Sequence, residues 1–258
     1  MKILAAMLLA LVIATGAQAE MVTKTIEYKD GDVTLEGFLA YDAGITGKRP
    51  GVLVVHEWTG LNDYARSRAE QLAKLGYVAF ALDMYGKGVR PSNPQEAAEQ
   101  ATKYRSDRQL MRRRAKAGLD VLLKQEMTDS AGVAAIGYCF GGGVALELAR
   151  GGAPLAGVVS FHGNLDTPNP ADARNIKGKI LVCHGGDDPH VPQEQVLAFQ
   201  NEMREAKVDW QMNIYGGAVH AFTNPASGND PSRGAAYNAE ADHRSWQAMK
   251  DFFNEIFE

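Results

Sequence analysis

The chain has 258 residues, of which 45% are apolar and 22% are charged, and its formal net charge at pH 7 is −4. This is ordinary globular composition. The only basic run, "MRRRAK" at residues 111–116, lies in a helical pattern and is interpreted as a solvated face, so nucleic acid is not expected as a partner.

The first nineteen residues have the pattern of a secretory signal peptide. Lys2 precedes an apolar run that ends at about Thr15, and small residues lead to Ala19. The run is shorter than the ~20 residues that a membrane-spanning helix needs, so cleavage before Glu20 is favoured over an uncleaved anchor. We therefore predict an exported chain, periplasmic or secreted, without a membrane segment after cleavage. Residues 20–258 are predicted to form a single domain.

Strand patterns then alternate with helical patterns. "VTKTIEY" and "VTLEGFLAY" alternate polar and apolar residues on either side of "KDGD", which predicts an antiparallel hairpin. "PGVLVVHE" and "YVAFALDMYG" are continuous apolar runs, typical of strands that are buried on both faces. The helix between them can be capped by Asn62 or Asp63. Residues 91–125 contain two further helical patterns.

The alternation continues to the end of the chain. Strand "GVAAIGY" leads into a helix from Phe140 to Arg150, and strands "LAGVVSF" and "KILVCHG" precede a helix from about Gln193 to Ala206. Strand "DWQMNIY" and a last helix follow. About eight strands, the first pair antiparallel, predict an α/β-hydrolase fold: a mostly parallel eight-stranded sheet with helices on both faces. No G-x-G-x-x-G follows the first buried strand, which argues against a dinucleotide-binding fold.

The stretch "GYCFGGG" has the pattern of a nucleophile elbow. It places Cys139 between a buried strand and a helix, in the pattern G-x-C-x-G. Such a turn is so tight that side chains two residues before and after the nucleophile would collide with neighbouring backbone. The amino terminus of the helix would favour a thiolate. The alternative is a small buried cysteine in a glycine-rich turn.

An acid and a histidine follow in the chain order of a hydrolase triad. "ILVCHGGDDPHVP" places Asp187 and Asp188 in the loop after a strand, and "YGGAVHAF" places His220 in the loop after the last strand. A thiol with an ordinary pKa of ~8.5 needs a base at neutral pH. His220 would take the thiol proton while a carboxylate holds the imidazole. Spacing alone does not choose between the two aspartates.

A metal site is the alternative interpretation of this region. His184, Asp187, Asp188 and His190 carry suitable ligand atoms, but nothing holds them on a common helical face. We therefore predict no metal. His162 is interpreted as structural.

The chain has only two cysteines, Cys139 and Cys183, and a disulfide between them is the remaining alternative. Both lie at strand ends that the predicted topology places in different parts of the sheet. A disulfide requires Cα atoms within ~7 Å, so the bond is disfavoured and Cys183 is interpreted as structural.

Acyl transfer also needs donors for the developing oxyanion, each worth roughly 3 kcal/mol in comparable enzymes. The backbone N–H of Phe140 is one candidate by position. Trp58, in the loop "HEWTGLN" after the first buried strand, is the other. The same loop holds Glu57, a carboxylate that follows a run of valines and is predicted to point into the site.

Five motifs together resemble the dienelactone hydrolase family, from about residue 22 to the carboxyl terminus: "HEWTGLN", "ALDMYG", "GYCFGGG", "GGDDPHVP" and "GGAVHAFTNP". The resemblance implies a monomeric α/β-hydrolase with a Cys-Asp-His triad and no cofactor. The aspartate three residues before the Val-Pro pair in that family corresponds to Asp188. A family glutamate at the place of Glu57 shares a hydrogen bond with the resting thiol, which implies a protonated Cys139 at rest.

The sequence departs from the dienelactone enzyme where substrate is bound. That enzyme holds the substrate carboxylate with two arginines, and Lys87 and Asn224 stand in their places here. Lysine lacks the planar fork of arginine and asparagine has no charge, so a small anionic lactone is disfavoured. Lys87, Arg90, Tyr85 and Asn224 are the candidate substrate-binding residues.

The sequence thus predicts an exported hydrolase that cleaves a small ester or lactone through a Cys139 acyl-enzyme. One alternative is a binding protein with a weak or inert hydrolase site. Another is a periplasmic thiol redox protein, which the absence of C-x-x-C disfavours.

Overall fold

The structure, a computed structural model, describes residues 20–258, and the predicted signal peptide lies outside the described residues. Its eight strands are β1 (Met21–Asp30), β2 (Val33–Asp42), β3 (Arg49–Val55), β4 (Val78–Leu82), β5 (Thr128–Tyr138), β6 (Gly157–Phe161), β7 (Lys179–Gly185) and β8 (Trp210–Tyr215). They form one sheet in the order β1-β2-β4-β3-β5-β6-β7-β8. β1 and β2 form the predicted hairpin, β2 is antiparallel to β4, and the other pairs are parallel.

Helices cover both faces of this sheet. They are α1 (Asp63–Lys74), α2 (Pro94–Arg105), α3 (Arg108–Leu123), α4 (Phe140–Arg150), α5 (Gln193–Ala206) and α6 (Ala239–Phe257). Side chains of β3 alternate between the two cores: Val52 and Val54 pack with α1 and α6, whereas Leu53 and Val55 pack with the other helices. This burial on both faces explains the continuous apolar runs and confirms the predicted mostly parallel α/β fold.

Strand β4 is shorter than the predicted run "YVAFALDMYG" and ends at Leu82. The next residue, Asp83, has a fully buried carboxylate that accepts hydrogen bonds from the N–H groups of Tyr85 and Gly86 at 3.0 and 3.1 Å. These bonds turn the backbone away from the sheet, because an aspartate that binds the backbone two residues ahead replaces the strand ladder with a turn.

The loops after the parallel strands gather at one edge of the sheet. Those after β3, β5, β7 and β8 carry Glu57, Cys139, Asp188 and His220 respectively. Ligands of open α/β sheets bind outside the carboxyl ends of the strands, so this edge is where a site is expected. In the described residues, no helix combines the length and the apolar character needed to cross a membrane.

Candidate active site

The turn between β5 and α4 is too tight for side chains at its flanking glycines. A Cβ atom on Gly137 would lie 1.9 Å from the carbonyl oxygen of Gly141, and one on Gly141 would lie 2.3 Å from the carbonyl oxygen of Val55. Cys139 itself has φ of 53°, a left-handed conformation that costs on the order of 1–3 kcal/mol for a residue with a side chain. The sequence therefore holds the thiol in a strained turn at the amino terminus of α4.

A buried polar network supports this turn from behind. The N–H of Cys139 donates to the carbonyl oxygen of Phe161 at 3.0 Å and to Nδ1 of His162 at 3.1 Å. The other ring nitrogen of His162 lies 2.7 Å from the hydroxyl of Thr223. Burial lowers the pKa of His162 well below its ordinary value, so the ring is neutral and accepts at Nδ1. This places His162 in support of the elbow, consistent with its structural interpretation.

His220 and Asp188 form a hydrogen-bonded pair beside Cys139. Nδ1 of His220 lies 2.8 Å from Oδ2 of Asp188, whose side chain is completely buried. Oδ1 of Asp188 accepts the N–H of His190 at 2.8 Å, so both carboxylate oxygens are held. Asp187 is exposed and makes no such contact. The geometry thus selects Asp188 as the acid that orients His220.

The charges around His220 stabilise its protonated form. Burial alone would lower its pKa, but the neighbouring Cys139 sulfur and the Asp188 carboxylate outweigh burial and raise the pKa to about 10. The imidazole is therefore expected to carry a proton at neutral pH, next to the Cys139 sulfur. The protonated resting thiol that the family resemblance implied stays a prediction.

Two backbone donors at this edge are free to bind an oxyanion. Within residues 20–258, neither the N–H of Phe140 nor that of Trp58 donates to another protein group. Phe140 begins α4 directly after Cys139, and Trp58 lines the same cleft as Cys139. Such unpaired N–H groups next to a nucleophile are the requirement for stabilising a tetrahedral intermediate.

Glu57 is bound to Asn224 in this structure. Its Oε2 accepts a hydrogen bond of 2.6 Å from Nδ2 of Asn224, and 6% of the residue is exposed. Burial raises the pKa of Glu57, while the amide of Asn224 and the charges of His220 and Arg68 lower it to a smaller extent. Asn224, a predicted substrate-binding residue, therefore lines the cleft, but its amide donates a hydrogen bond to Glu57.

The substitution Glu57→Gln is expected to stabilise the protein at neutral pH. A raised folded-state pKa favours the neutral carboxyl, so the wild-type protein loses stability as pH rises through that pKa, and glutamine avoids this loss. We expect thermal denaturation to show a Tm gain of about 2–4 °C at pH 7, which is about 1 kcal/mol for a domain of this size. The gain should vanish below the ordinary glutamate pKa of ~4.3.

The matched control for this prediction is Glu240→Gln, an exposed carboxylate on α6. It should leave Tm unchanged at both pH values. A Tm gain for Glu57→Gln that does not depend on pH would contradict the assignment. The same variant should also alter the pH profile of Cys139 alkylation, because an ionisable carboxyl that interacts with the charge of His220 is replaced by an amide.

The cleft above Cys139 has a volume of about 630 Å³, in the usual range for small-molecule sites. Its lining includes two arginines that the sequence did not single out, Arg105 at the end of α2 and Arg233 in a short 3-10 helix at Pro231–Arg233. Arg105 donates to Oδ1 of Asn164 at 2.7 Å. The side chain of Arg233 makes no hydrogen bond or ion pair with the described residues.

Three predicted substrate-binding residues lie outside this cleft lining. Lys87 is exposed and pairs with Glu27. Arg90 donates to the carbonyl oxygens of Gly86 and Val89, and the hydroxyl of Tyr85 donates to the carbonyl oxygen of Trp58 at 2.8 Å. Each of these three side chains thus has a protein partner outside a substrate, and its role in substrate binding stays a prediction.

A disulfide and a metal site are the two alternatives considered for this region. Both cysteines are free, and burial raises the pKa of the Cys183 thiol to about 12, which makes it a poor nucleophile. Among the residues described, no group of three or more histidine, cysteine, aspartate and glutamate side chains is arranged to hold a metal ion. Asp188, one of the potential ligands, instead binds His220.

Comparison with known proteins places these residues in a larger group. A sequence model described as the dienelactone hydrolase family matches residues 35–257. The solved structure of a dienelactone hydrolase-like promiscuous phosphotriesterase from metagenomic libraries is 45% identical, with a TM-score of 0.89 over 93% of this chain and 100% of that one. A structure named m3DLH is 44% identical, with a TM-score of 0.90 over the same shares. A Saccharolobus solfataricus protein named, as an unproven assignment, carboxymethylenebutenolidase is 30% identical over 90% of this chain and 98% of its own.

Proposed function

The chain belongs to the dienelactone hydrolase family of carboxylic ester hydrolases, and we propose that it cleaves a small ester or lactone through a thioester on Cys139. The observation that carries this proposal is the placement of Cys139, at a strained elbow beside the His220–Asp188 pair. Each of the three residues comes from a different loop at the carboxyl edge of the sheet.

Acylation begins with attack of the Cys139 sulfur on the substrate carbonyl carbon. The carbonyl oxygen becomes an oxyanion, which the N–H groups of Phe140 and Trp58 bind. Collapse of this intermediate breaks the bond to the leaving oxygen, and the His220 imidazolium gives that oxygen its proton. An alcohol leaves, or in a lactone the ring opens, and the acyl group stays on sulfur.

Deacylation uses the same groups with water as the nucleophile. Neutral His220 takes a proton from water as the oxygen attacks the thioester carbon, and Asp188 stabilises the imidazolium that forms. The thiolate leaves, the carboxylic acid is released, and the His220–Cys139 pair is restored. No cofactor takes part in either step.

The two arginines at the cleft predict a preference for substrates with a negative charge, which differs from the expectation drawn from Lys87 and Asn224. Arg105→Gln and Arg233→Gln are each expected to raise KM for a carboxylate-bearing aryl ester about threefold to tenfold, as loss of an exposed ion pair of ~1 kcal/mol implies. KM for a neutral ester should stay the same. Steady-state kinetics on the two esters checks this, with Arg244→Gln on α6 as control. Equal effects on both esters would contradict the prediction.

A panel of aryl esters and lactones tests the proposed function itself. An aryl phosphotriester belongs in the panel, because one similar protein is named a promiscuous phosphotriesterase. Retention of one equivalent of ligand without product would favour the alternative, a binding protein with an inert site. A disulfide between Cys139 and Cys183 in the purified protein would favour the redox alternative.

We also propose that the enzyme acts outside the cytoplasm. The signal-peptide pattern of the first nineteen residues supports export. Amino-terminal sequencing of the mature protein tests it, and a sequence starting at Met1 would refute it.

A further inference from the structure

His56 is a buried histidine next to the candidate oxyanion donor, and the triad does not use it. His56 directly follows the last residue of β3, and its side chain is completely buried. Nε2 accepts the N–H of Met84 at 3.1 Å, and Nδ1 lies 2.5 Å from the carbonyl oxygen of Glu57. Because the N–H of Met84 can only donate, Nε2 must carry no proton.

The tautomer of His56 follows from these two contacts. Burial lowers the pKa of His56 to about 4, so the ring is neutral at physiological pH. Its single proton then sits on Nδ1 and is donated to the carbonyl oxygen of Glu57. The N–H of Gly60 donates to the same oxygen at 3.2 Å as part of the turn.

The carbonyl of Glu57 and the N–H of Trp58 belong to one peptide group. In a trans peptide these two bonds point in opposite directions. A carbonyl held against the His56 ring therefore turns the N–H of Trp58 away from it, and Trp58 lines the cleft with Cys139. The His56 ring also stacks on Phe140, the residue that supplies the other donor, with ring centroids 6.3 Å apart.

From these contacts we infer that His56 is a positioning residue, whose Nδ1–H fixes the Glu57–Trp58 peptide so that the Trp58 N–H faces the oxyanion. The inference rests on the proposed function, since it assigns a support to its oxyanion donor. A rotated peptide would present the Glu57 carbonyl oxygen to the oxyanion and repel it. His56 touches no substrate and acts only through this peptide.

The first test is His56→Phe, which keeps the ring packing on Phe140 and removes both hydrogen bonds. Loss of one oxyanion donor costs about 10²–10³-fold in kcat. Since the Gly60 turn bond remains, we expect a fall in kcat of about 10–100-fold with KM nearly unchanged. Alkylation of Cys139 by iodoacetamide, which forms no oxyanion, should proceed at the wild-type rate. Slower alkylation in step with kcat would overturn the inference, because it would locate the defect in the thiol or the fold.

The matched control is Tyr28→Phe. The Tyr28 hydroxyl accepts the N–H of Asp83 at 2.9 Å, so this variant leaves the neighbouring backbone N–H without its partner, as His56→Phe does for Met84. It should lose a similar amount of stability and retain kcat within about threefold. An equal loss of kcat in the two variants would show that His56 acts only on stability, and would overturn the inference.

A second pair of variants keeps the inference testable if His56→Phe does not fold. Asparagine and leucine have the same shape, and Nδ2 of asparagine occupies the place of the histidine Nδ1. Both lose the contact with Met84, and only His56→Asn retains a donor to the Glu57 carbonyl. We expect kcat of His56→Asn to exceed that of His56→Leu at least tenfold, and equal values would overturn the inference. Cys139→Ala separates the two claims: if it retains activity, the proposed function itself fails, whatever His56 does.

Discussion

Cys139→Ala is expected to abolish hydrolysis of every ester and lactone in the panel, with kcat falling at least ~10⁴-fold, as for other enzymes that lose their nucleophile. Alanine keeps the backbone of the elbow and removes only the sulfur. No other thiol can replace it, because Cys183 is fully buried on β7. The measurement is steady-state turnover of one aryl ester by the two proteins at equal protein concentrations.

Cys183→Ala is the matched control for this variant, since it removes a buried thiol from the same sheet edge. It should retain full activity and lose about 1 kcal/mol or less of stability, because only a small buried group is removed. Activity in Cys139→Ala equal to that of the wild-type protein would refute the proposed nucleophile. Activity lost in both variants would point to a general effect of thiol removal on the fold.

His220→Ala is expected to be nearly as severe, with a loss in kcat on the order of 10⁴-fold. The substitution removes both the proton donor to the leaving group and the positive partner of the thiolate. His220 has a raised pKa of about 10, so in the wild-type protein its charge persists through neutral pH and favours thiolate alkylation there. Without it, alkylation of Cys139 at neutral pH should slow, because the positive charge beside the sulfur is gone.

The two neighbouring aspartates provide the control for this prediction. Asp188→Asn should lower kcat by about 10²–10⁴-fold, because the amide leaves the imidazole in the wrong tautomer. Asp187→Asn should be close to wild type, since this side chain is exposed. An alkylation rate that His220→Ala does not change would contradict the proposed action of His220 on the Cys139 sulfur.

Local sequence patterns predicted the fold and the elements that carry the site. Apolar runs of β3, β5 and β7 identify doubly buried strands, and α4 begins at Phe140 as predicted. The glycines around Cys139 indicate a tight turn, because any side chain at these positions would collide with the backbone. The structure shows the groups it would meet, the carbonyl oxygens of Gly141 and Val55. Such information is local, so a single sequence can reveal it.

The side chains that line the cleft were harder to predict because their positions depend on contacts between distant segments. Lys87 stands where the family has an arginine, yet Glu27 of β1, sixty residues earlier, pairs with it outside the cleft. Arg105 and Arg233 reach the cleft from the end of α2 and from a loop after β8. No pattern around either arginine indicates a site. From the sequence alone, a basic residue at the end of a helix indicates only a favourable interaction with the helix dipole.

The hydrogen bond between Glu57 and Asn224 is also a contact between distant segments, since the two residues are 167 positions apart. The sequence predicted that Glu57 would point into the site, but it did not indicate its partner. With arginine at the place of Asn224, the glutamate would face a charge. Here burial raises the pKa of the carboxyl, and the neutral amide of Asn224 lowers it only to a smaller extent. This difference should distinguish the pH behaviour of this enzyme from that of relatives with the arginine.

Trapping the acyl group on Cys139 tests the central claim most directly. The purified protein is mixed with an aryl ester that acylates faster than it deacylates, quenched in acid within one turnover, and digested for mass spectrometry. The peptide containing Cys139 should gain the mass of the acyl group, and the adduct should be sensitive to hydroxylamine. Hydrolysis in the same reaction with the acyl mass on another residue, or with no adduct at any quench time, would contradict the thioester mechanism.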